Sequence, residues 1–241
     1  MSKLSYYLKG NTKIAYRYYK RSKKSLVFIH GMLSDMNGKK SKYFNNYCRK
    51  KNITFLCFDF QGHGKSNGDF TDLGVGDWFK NLKDLLHYLN IEDPILIGSS
   101  MGGWVAMLYA LHFPKKVKKL IGIAPAPDFT VDLLWKEFST KDKNTINSNK
   151  IVEKKINDDF IYKYSPKLFL NSKKYLIKNI KKTYSGEVIL FHGSEDLVVP
   201  HHYNDKFYKN KIFSKVVNIT IKNADHSMSD IFSLRKISSF I

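Results

Sequence analysis

Cysteine, acidic residues and long apolar runs are scarce in this chain, and each scarcity excludes something. Cys48 and Cys57 are the two cysteines among 241 residues, too few and too apolar in setting for a disulfide framework or a metal site. They read as buried free thiols of a reducing compartment. No run of about 18 apolar residues is present, so no segment is expected to cross a membrane as a helix. Met1 to Gly10 has no apolar stretch of signal-peptide length, and a soluble, cytoplasmic protein is the expectation. Against 21 Asp and Glu stand 41 Lys and Arg, a formal net charge of +20. That balance brings nucleic acid or an anionic membrane to mind, because basic surfaces attract polyanions at long range. The charge is diffuse, however, in scattered pairs such as Lys23-Lys24, Lys50-Lys51 and Lys181-Lys182. A solvated surface with sequence-indifferent polyanion attraction fits this pattern better than a dedicated nucleic-acid face.

What the chain does contain is enough to bury a core. Apolar residues make up 43% and aromatics 15%, which argues for a globular protein, and the length suits a single domain over 1–241. Short apolar runs alternate with helical patterns, the signature of β-α-β units and a mostly parallel sheet. The runs at 26–29, 53–58, 95–97, 120–124, 188–191 and 216–221 read as strands buried on both faces. Residues 5–8 and 13–18 flank Gly10-Asn11 and read as an edge hairpin. Trp78, Leu82, Leu85, Leu86 and Leu89 recur at helical spacing. A second helix follows Met101 and stops at Pro114, and a third runs from about Asp230 to Ile241. Residues 128–182 break the rhythm. Their apolar pieces, Phe129, Leu133, Leu134 and Phe138, then Phe160, Tyr164 and Leu168, predict a small helical cap inserted between two strands.

One segment carries an explicit chemical signal. Gly98-Ser99-Ser100-Met101-Gly102 follows a strand and leads into a helix, the context of a nucleophile elbow, in which a serine sits on a strained turn and glycines let strand and helix pass closely. Ser100 is the expected nucleophile. A serine hydroxyl needs a base, and in this topology the base follows downstream of the acid. His226, between the last strand and the last helix, is the expected base; His192, His201 and His202 are less well placed, while His87 and His112 read as solvated helix residues. The loop after His192 offers two adjacent acids to orient His226; its G-x-x-D-x-x-V-P pattern resembles the acid loop of α/β-hydrolases, a resemblance that implies Asp196, with Glu195 facing water. Asp128 is the alternative acid position and reads more simply as the N-cap of the first cap helix. The backbone N–H of Met101, directly after Ser100, is one expected oxyanion donor; His30-Gly31-Met32 resembles the His-Gly oxyanion turn of α/β-hydrolases, which implies Met32 as the other, with His30 stabilising the turn. Leu134 and Phe138 are candidate walls of an apolar acyl pocket, and neither a metal nor a cofactor is expected.

Four stretches together resemble one branch of the α/β-hydrolase superfamily. They are Gly31-Met32-Leu33-Ser34-Asp35-Met36-Asn37-Gly38-x-Lys40, Phe58-Asp59-Phe60-x-Gly62-x-Gly64-x-Ser66-x-Gly68, Gly98-Ser99-Ser100-Met101-Gly102-Gly103-Trp104, and Asp225-His226-x-Met228. They are similar to the family of α/β-hydrolase-domain-containing protein ten, whose mammalian member is a mitochondrial acyl-protein thioesterase that also hydrolyses acyl glucuronides. The resemblance implies an α/β-hydrolase fold and a serine esterase or thioesterase. It also implies a small-molecule ester, a thioester or an acylated protein as substrate. The mitochondrial targeting segment of the animal protein has no counterpart here, so a bacterial, cytosolic homologue, monomeric or a small homo-oligomer, is expected. Two readings compete: another hydrolase of the same fold, such as an aminopeptidase or a C–C bond hydrolase, and a binding or signalling protein that keeps the triad as a relic.

Overall fold

The computed structural model describes residues 2–157, 160–205 and 212–241. Eight strands form the main sheet: β1 (Leu4–Lys9), β2 (Thr12–Tyr19), β3 (Ser25–Ile29), β4 (Thr54–Phe58), β5 (Ile95–Ser99), β6 (Lys119–Ile123), β9 (Tyr184–Gly193) and β10 (Phe213–Ile221). Their order is β1-β2-β4-β3-β5-β6-β9-β10. β1 and β2 pair antiparallel, as does β2 with β4, and the other neighbours are parallel. The parallel centre follows from composition, because β3, β4 and β5 are buried along their whole length. Their alternating side chains feed two cores. Val27, Ile29, Leu56, Phe58 and Leu96 face one side, and Leu26, Phe28, Phe55, Cys57, Ile95 and Ile97 the other, as a period of two requires of a sheet covered on both faces.

Helices α2 (Val75–Tyr88) and α3 (Met101–His112) cover the first face. Every residue of α3 from Met101 to Leu111 is buried, because the helix lies between the sheet and the segment above it, and a helix apolar all round belongs in an interior. On the other face lie α1 (Lys39–Lys50) and the last helix (Ile231–Ser238), capped by Asp230 through Ser233 N–H at 2.8 Å. Cys48 and Cys57 are free thiols buried in this second core.

Three details differ from the sequence expectation. β10 is an edge strand with Val217 49% exposed, so it is not buried on both faces. Helix α1 escapes periodicity because its buried stripe, Ser41, Phe44, Asn45 and Cys48, is half polar. Between β6 and β9 the chain is not wholly helical. A π-helical turn (Thr130–Leu134) continues into Trp135–Glu137, and a helix follows at Thr140–Asn147. After these come the antiparallel hairpin β7 (Val152–Asn157) and β8 (Phe160–Tyr164) and a helix at Pro166–Lys173. The spacing of Tyr164 and Leu168 imitates a helix, but Pro166 stands between them, and its ring belongs at the first helical position. Ser165 accordingly caps the new helix, accepting from Leu168 N–H at 3.3 Å.

Candidate active site

Ser100 sits where β5 turns into α3, at φ 52° and ψ −120°, a left-handed conformation that costs about 1–3 kcal/mol and persists only where the surroundings enforce it. The enforcement is visible. Ser100 N–H donates to Ile123 O at 2.9 Å, and Ser100 O accepts from Gly103 and Ala126. The turn is so tight that a Cβ on Gly98 would lie 2.4 Å from Gly102 O. Met101 is the first residue of α3, where backbone N–H groups have no intrahelical acceptor.

His226 and Asp196 arrive from loops at the same edge of the sheet. His226 Nε2 lies 3.1 Å from Ser100 Oγ, and His226 Nδ1 lies 2.8 Å from Asp196 Oδ2. The Asp196 side chain is fully buried. Burial by itself would raise its carboxyl, but the His226 bond and the N–H groups of Val199 and Val198, at 2.8 and 2.9 Å on Oδ1, outweigh it and hold the group below the usual carboxylate range. An ionised Asp196 makes Nδ1 the protonated nitrogen, which leaves the Nε2 lone pair facing the serine hydroxyl. Glu195 is exposed beside it.

The Met32 turn is braced from behind. His30 is buried; its Nε2 accepts from Phe60 N–H at 3.1 Å, so its Nδ1 carries the proton and donates to Gly31 O at 2.7 Å. Gly31 packs on Ser100, and a Cβ there would meet Ser100 Cβ at 3.3 Å. The Phe58-to-Gly68 motif has a supporting role as well. Buried Asp59 accepts from Met36 N–H at 2.6 Å and Lys65 N–H at 2.8 Å, and Gly64, at φ +52°, leaves room for its carboxylate.

Several residues are placed otherwise than the sequence suggests. Asp128 caps through its main chain, its O accepting from Val131 and Asp132 N–H at 3.0 and 2.9 Å. Its carboxylate accepts from Ile177 N–H at 2.7 Å and Lys178 N–H at 3.2 Å, tying the start of the inserted segment to its end. Phe138 does not line the cleft above Ser100; it is buried behind it, its ring 5.4 Å from those of Tyr164 and Phe169. Leu134 does line that cleft. His112 is half-buried against Phe79, with Nδ1 2.9 Å from Leu108 O. Lys40, which the sequence reading passed over although a quoted motif contains it, bonds Ser227 O at 2.6 Å and Ser229 Oγ at 3.2 Å. It thereby straps α1 to the loop of His226, and burial lowers its ammonium to about 8.

Two cavities meet at Ser100. One, of about 380 Å³, is largely apolar and includes Met32, Met101, Phe129, Leu133, Leu134 and Leu197 in its lining. The other, of about 510 Å³, is the more polar of the two and includes Ser34, Asp35, Lys39, Lys40, Ser227 and His226. His226 borders the second cavity and not the first. Among the described residues no group of three or more His, Cys, Asp or Glu is placed to hold a metal ion.

Three buried histidines make acid stability predictable. Burial lowers His30, His63 and His192 to about 4, helped at His63 by the neighbouring His30. Unfolded histidines titrate near 6.5, so between those values the unfolded chain binds more protons than the folded one. The stability held above about pH 6.5 is therefore lost as pH falls toward 4, with uptake of about three protons on unfolding near pH 5. Urea titrations at several pH values measure this slope, and a flat profile from pH 7 to 5 would contradict neutral burial.

A strand-elbow-helix with a serine at its tip, a histidine and a carboxylate at the same sheet edge, and helices on both faces define a hydrolase class. The chain belongs to the α/β hydrolase fold family, whose pattern matches residues 24–150. Among individual relatives, the mitochondrial palmitoyl-protein thioesterase ABHD10 of Rattus norvegicus is 30% identical over 224 residues, covering 90% of this chain and 73% of that protein. The human protein of the same name is 26% identical over 219 residues, covering 90% and 71%. The structure of mouse ABHD10 superposes with a TM-score of 0.90 at 26% identity, covering 99% of this chain and 97% of that one. Est1E from Butyrivibrio proteoclasticus, solved with ferulic acid, shares the fold at a TM-score of 0.78 and 22% identity, covering 98% and 95%. No helix among the described residues is long and apolar enough to cross a membrane.

Proposed function

We infer that the protein is a serine hydrolase that cleaves carboxylic esters or thioesters through an acyl-enzyme. The observation that carries this reading is the continuous chain from Ser100 Oγ through the His226 ring to buried Asp196. His226 takes the Ser100 proton as the oxygen attacks the acyl carbon. The Met32 and Met101 N–H groups receive the developing oxyanion, each donor worth about 3–4 kcal/mol in comparable sites. His226 then returns the proton to the leaving oxygen or sulfur, and water repeats the sequence to release the acid. The thioesterase relatives support the thioester arm and an acylated protein as one form of substrate. Two buried free thiols support a reducing compartment such as the cytoplasm. A fluorophosphonate probe should label Ser100, and Ser100→Ala should remain unlabelled; an unlabelled wild type favours the relic reading.

The two cavities take opposite sides of the substrate. A leaving group must reach His226 Nε2 to be protonated, so it belongs in the more polar cavity that His226 borders, and the acyl chain belongs in the apolar cleft. Each methylene buried there contributes about 0.8 kcal/mol, so kcat/KM for p-nitrophenyl or acyl-thiol substrates should rise with acyl length beyond acetate and then decline. Leu134→Ala should move the preferred length upward. Phe138→Ala, one layer behind, should cost about 3–5 kcal/mol of stability with a smaller shift in preference. A length profile that stays flat in wild type and both variants removes the acyl assignment of the cleft.

A further inference from the structure

The mouth of the apolar cleft carries side chains that water does not favour. Leu197 lines the cleft and is 98% exposed, and Val198, 60% exposed, borders both cavities. Leu33, 36% exposed, directly follows cleft-lining Met32 in a left-handed conformation at φ 54°. Single exposed apolar side chains are ordinary on a protein surface, but Leu197 and Val198 at one opening, with Leu33 next in the chain to cleft-lining Met32, form the kind of patch that marks an interaction site. Leu197 and Val198 cannot simply be turned inward, because the loop that presents them is held by the Val198 and Val199 N–H bonds to Asp196. Exposed Lys39 borders the adjoining cavity together with Lys40 and Asp35, Glu137 lines the cleft, and the whole chain carries +20.

Charge decides between occupants. A second copy of this chain would bring another +20 to the same place and repel. An anionic bilayer satisfies both features at once: apolar tips enter the boundary between headgroups and acyl chains, while lysines stay with the headgroups. We propose that the rim formed by Leu33, Leu197 and Val198 docks this protein on an anionic phospholipid surface, with the mouth of the cleft at the interface. An acyl chain then passes from bilayer to cleft without crossing water.

The test reads binding, so it stands apart from the catalytic assignment. Vesicles of phosphatidylcholine alone, and of phosphatidylcholine with about one third phosphatidylglycerol, are sedimented with the full chain. The wild type should sediment with the anionic vesicles, less so as salt rises from about 50 to 300 mM, and stay in solution with the neutral ones. Leu197→Ser and Leu33→Ser leave the charge unchanged and should each weaken partitioning about tenfold, the effect of withholding one apolar anchor. Leu197 is 98% exposed, so its replacement leaves the fold intact. Leu197→Trp should shift its emission to the blue when anionic vesicles are added. Serine variants that bind like the wild type would reduce the effect to charge alone and overturn the proposal. So would equal binding to neutral vesicles, an unshifted Leu197→Trp emission, or a dimer in solution that Leu197→Ser dissolves.

Discussion

Replacing Ser100 with alanine should lower ester turnover by at least about ten-thousandfold while leaving the fold in place. Under the proposed mechanism the hydroxyl oxygen forms the acyl bond, and without it the His226 and Asp196 pair has no proton to move. Structurally little is lost. Ser100 Oγ bonds His226 Nε2, whereas the backbone bonds that hold the elbow, to Ile123, Gly103 and Ala126, use main-chain atoms that alanine keeps. The unfolding free energy should therefore change by no more than about 0.5 kcal/mol. His226→Ala should be nearly as damaging, and the double variant no worse than either, because the two act as one unit. Kinetics with a p-nitrophenyl ester alongside urea titration separates the two effects. Turnover in Ser100→Ala within tenfold of wild type would end the serine-hydrolase reading.

A methyl group added at Gly102 should cost stability as well as activity. A Cβ there would lie 2.3 Å from His30 O and 2.4 Å from Ile29 O, both backbone atoms at the end of β3, so no side chain can swing aside. Helix α3 and strand β3 would have to separate, and overpacking of this kind costs about 1–3 kcal/mol or more. For a domain of this size each kcal/mol lowers Tm by about 2–4 °C. The same movement draws the Met32 turn away from Ser100, and a misplacement of about 1 Å in an oxyanion donor costs on the order of a hundredfold in rate. Gly102→Ala should thus lose both Tm and kcat, whereas Ser100→Ala loses kcat alone. Calorimetry and kinetics on the two variants side by side test this contrast. A Gly102→Ala protein with unchanged Tm would mean that strand and helix are less tightly apposed than the elbow requires.

How far the sequence could be read depended on the range of the interaction behind each feature. The strands at the sheet centre were legible because a strand buried on both faces must be apolar throughout, and β3, β4 and β5 are. The elbow was legible because its constraint spans five residues: Gly98 and Gly102 are glycines because the turn closes on itself. Helix α1 was not, since Ser41 and Asn45 share its buried face and polar residues there hide the period. The hairpin β7–β8 was masked by an accidental helical spacing across Pro166.

By itself the sequence determined which chemical groups are available and which local turns they occupy: a serine on a glycine-flanked elbow, an aspartate in a loop ending at Pro200, a histidine ahead of the last helix. Tertiary structure alone decided that Asp196 and His226, 30 positions apart, and His226 and Ser100, 126 positions apart, meet within hydrogen-bond distance. It also decided that Leu134 faces the cleft while Phe138 stands behind it, and that Lys40 lies half-buried against the histidine loop. The physical reason is one of range. Steric limits on a turn act between neighbours and leave their mark in composition, whereas the order of parallel strands brings distant loops to one edge of the sheet, and no local pattern of residues encodes that distance.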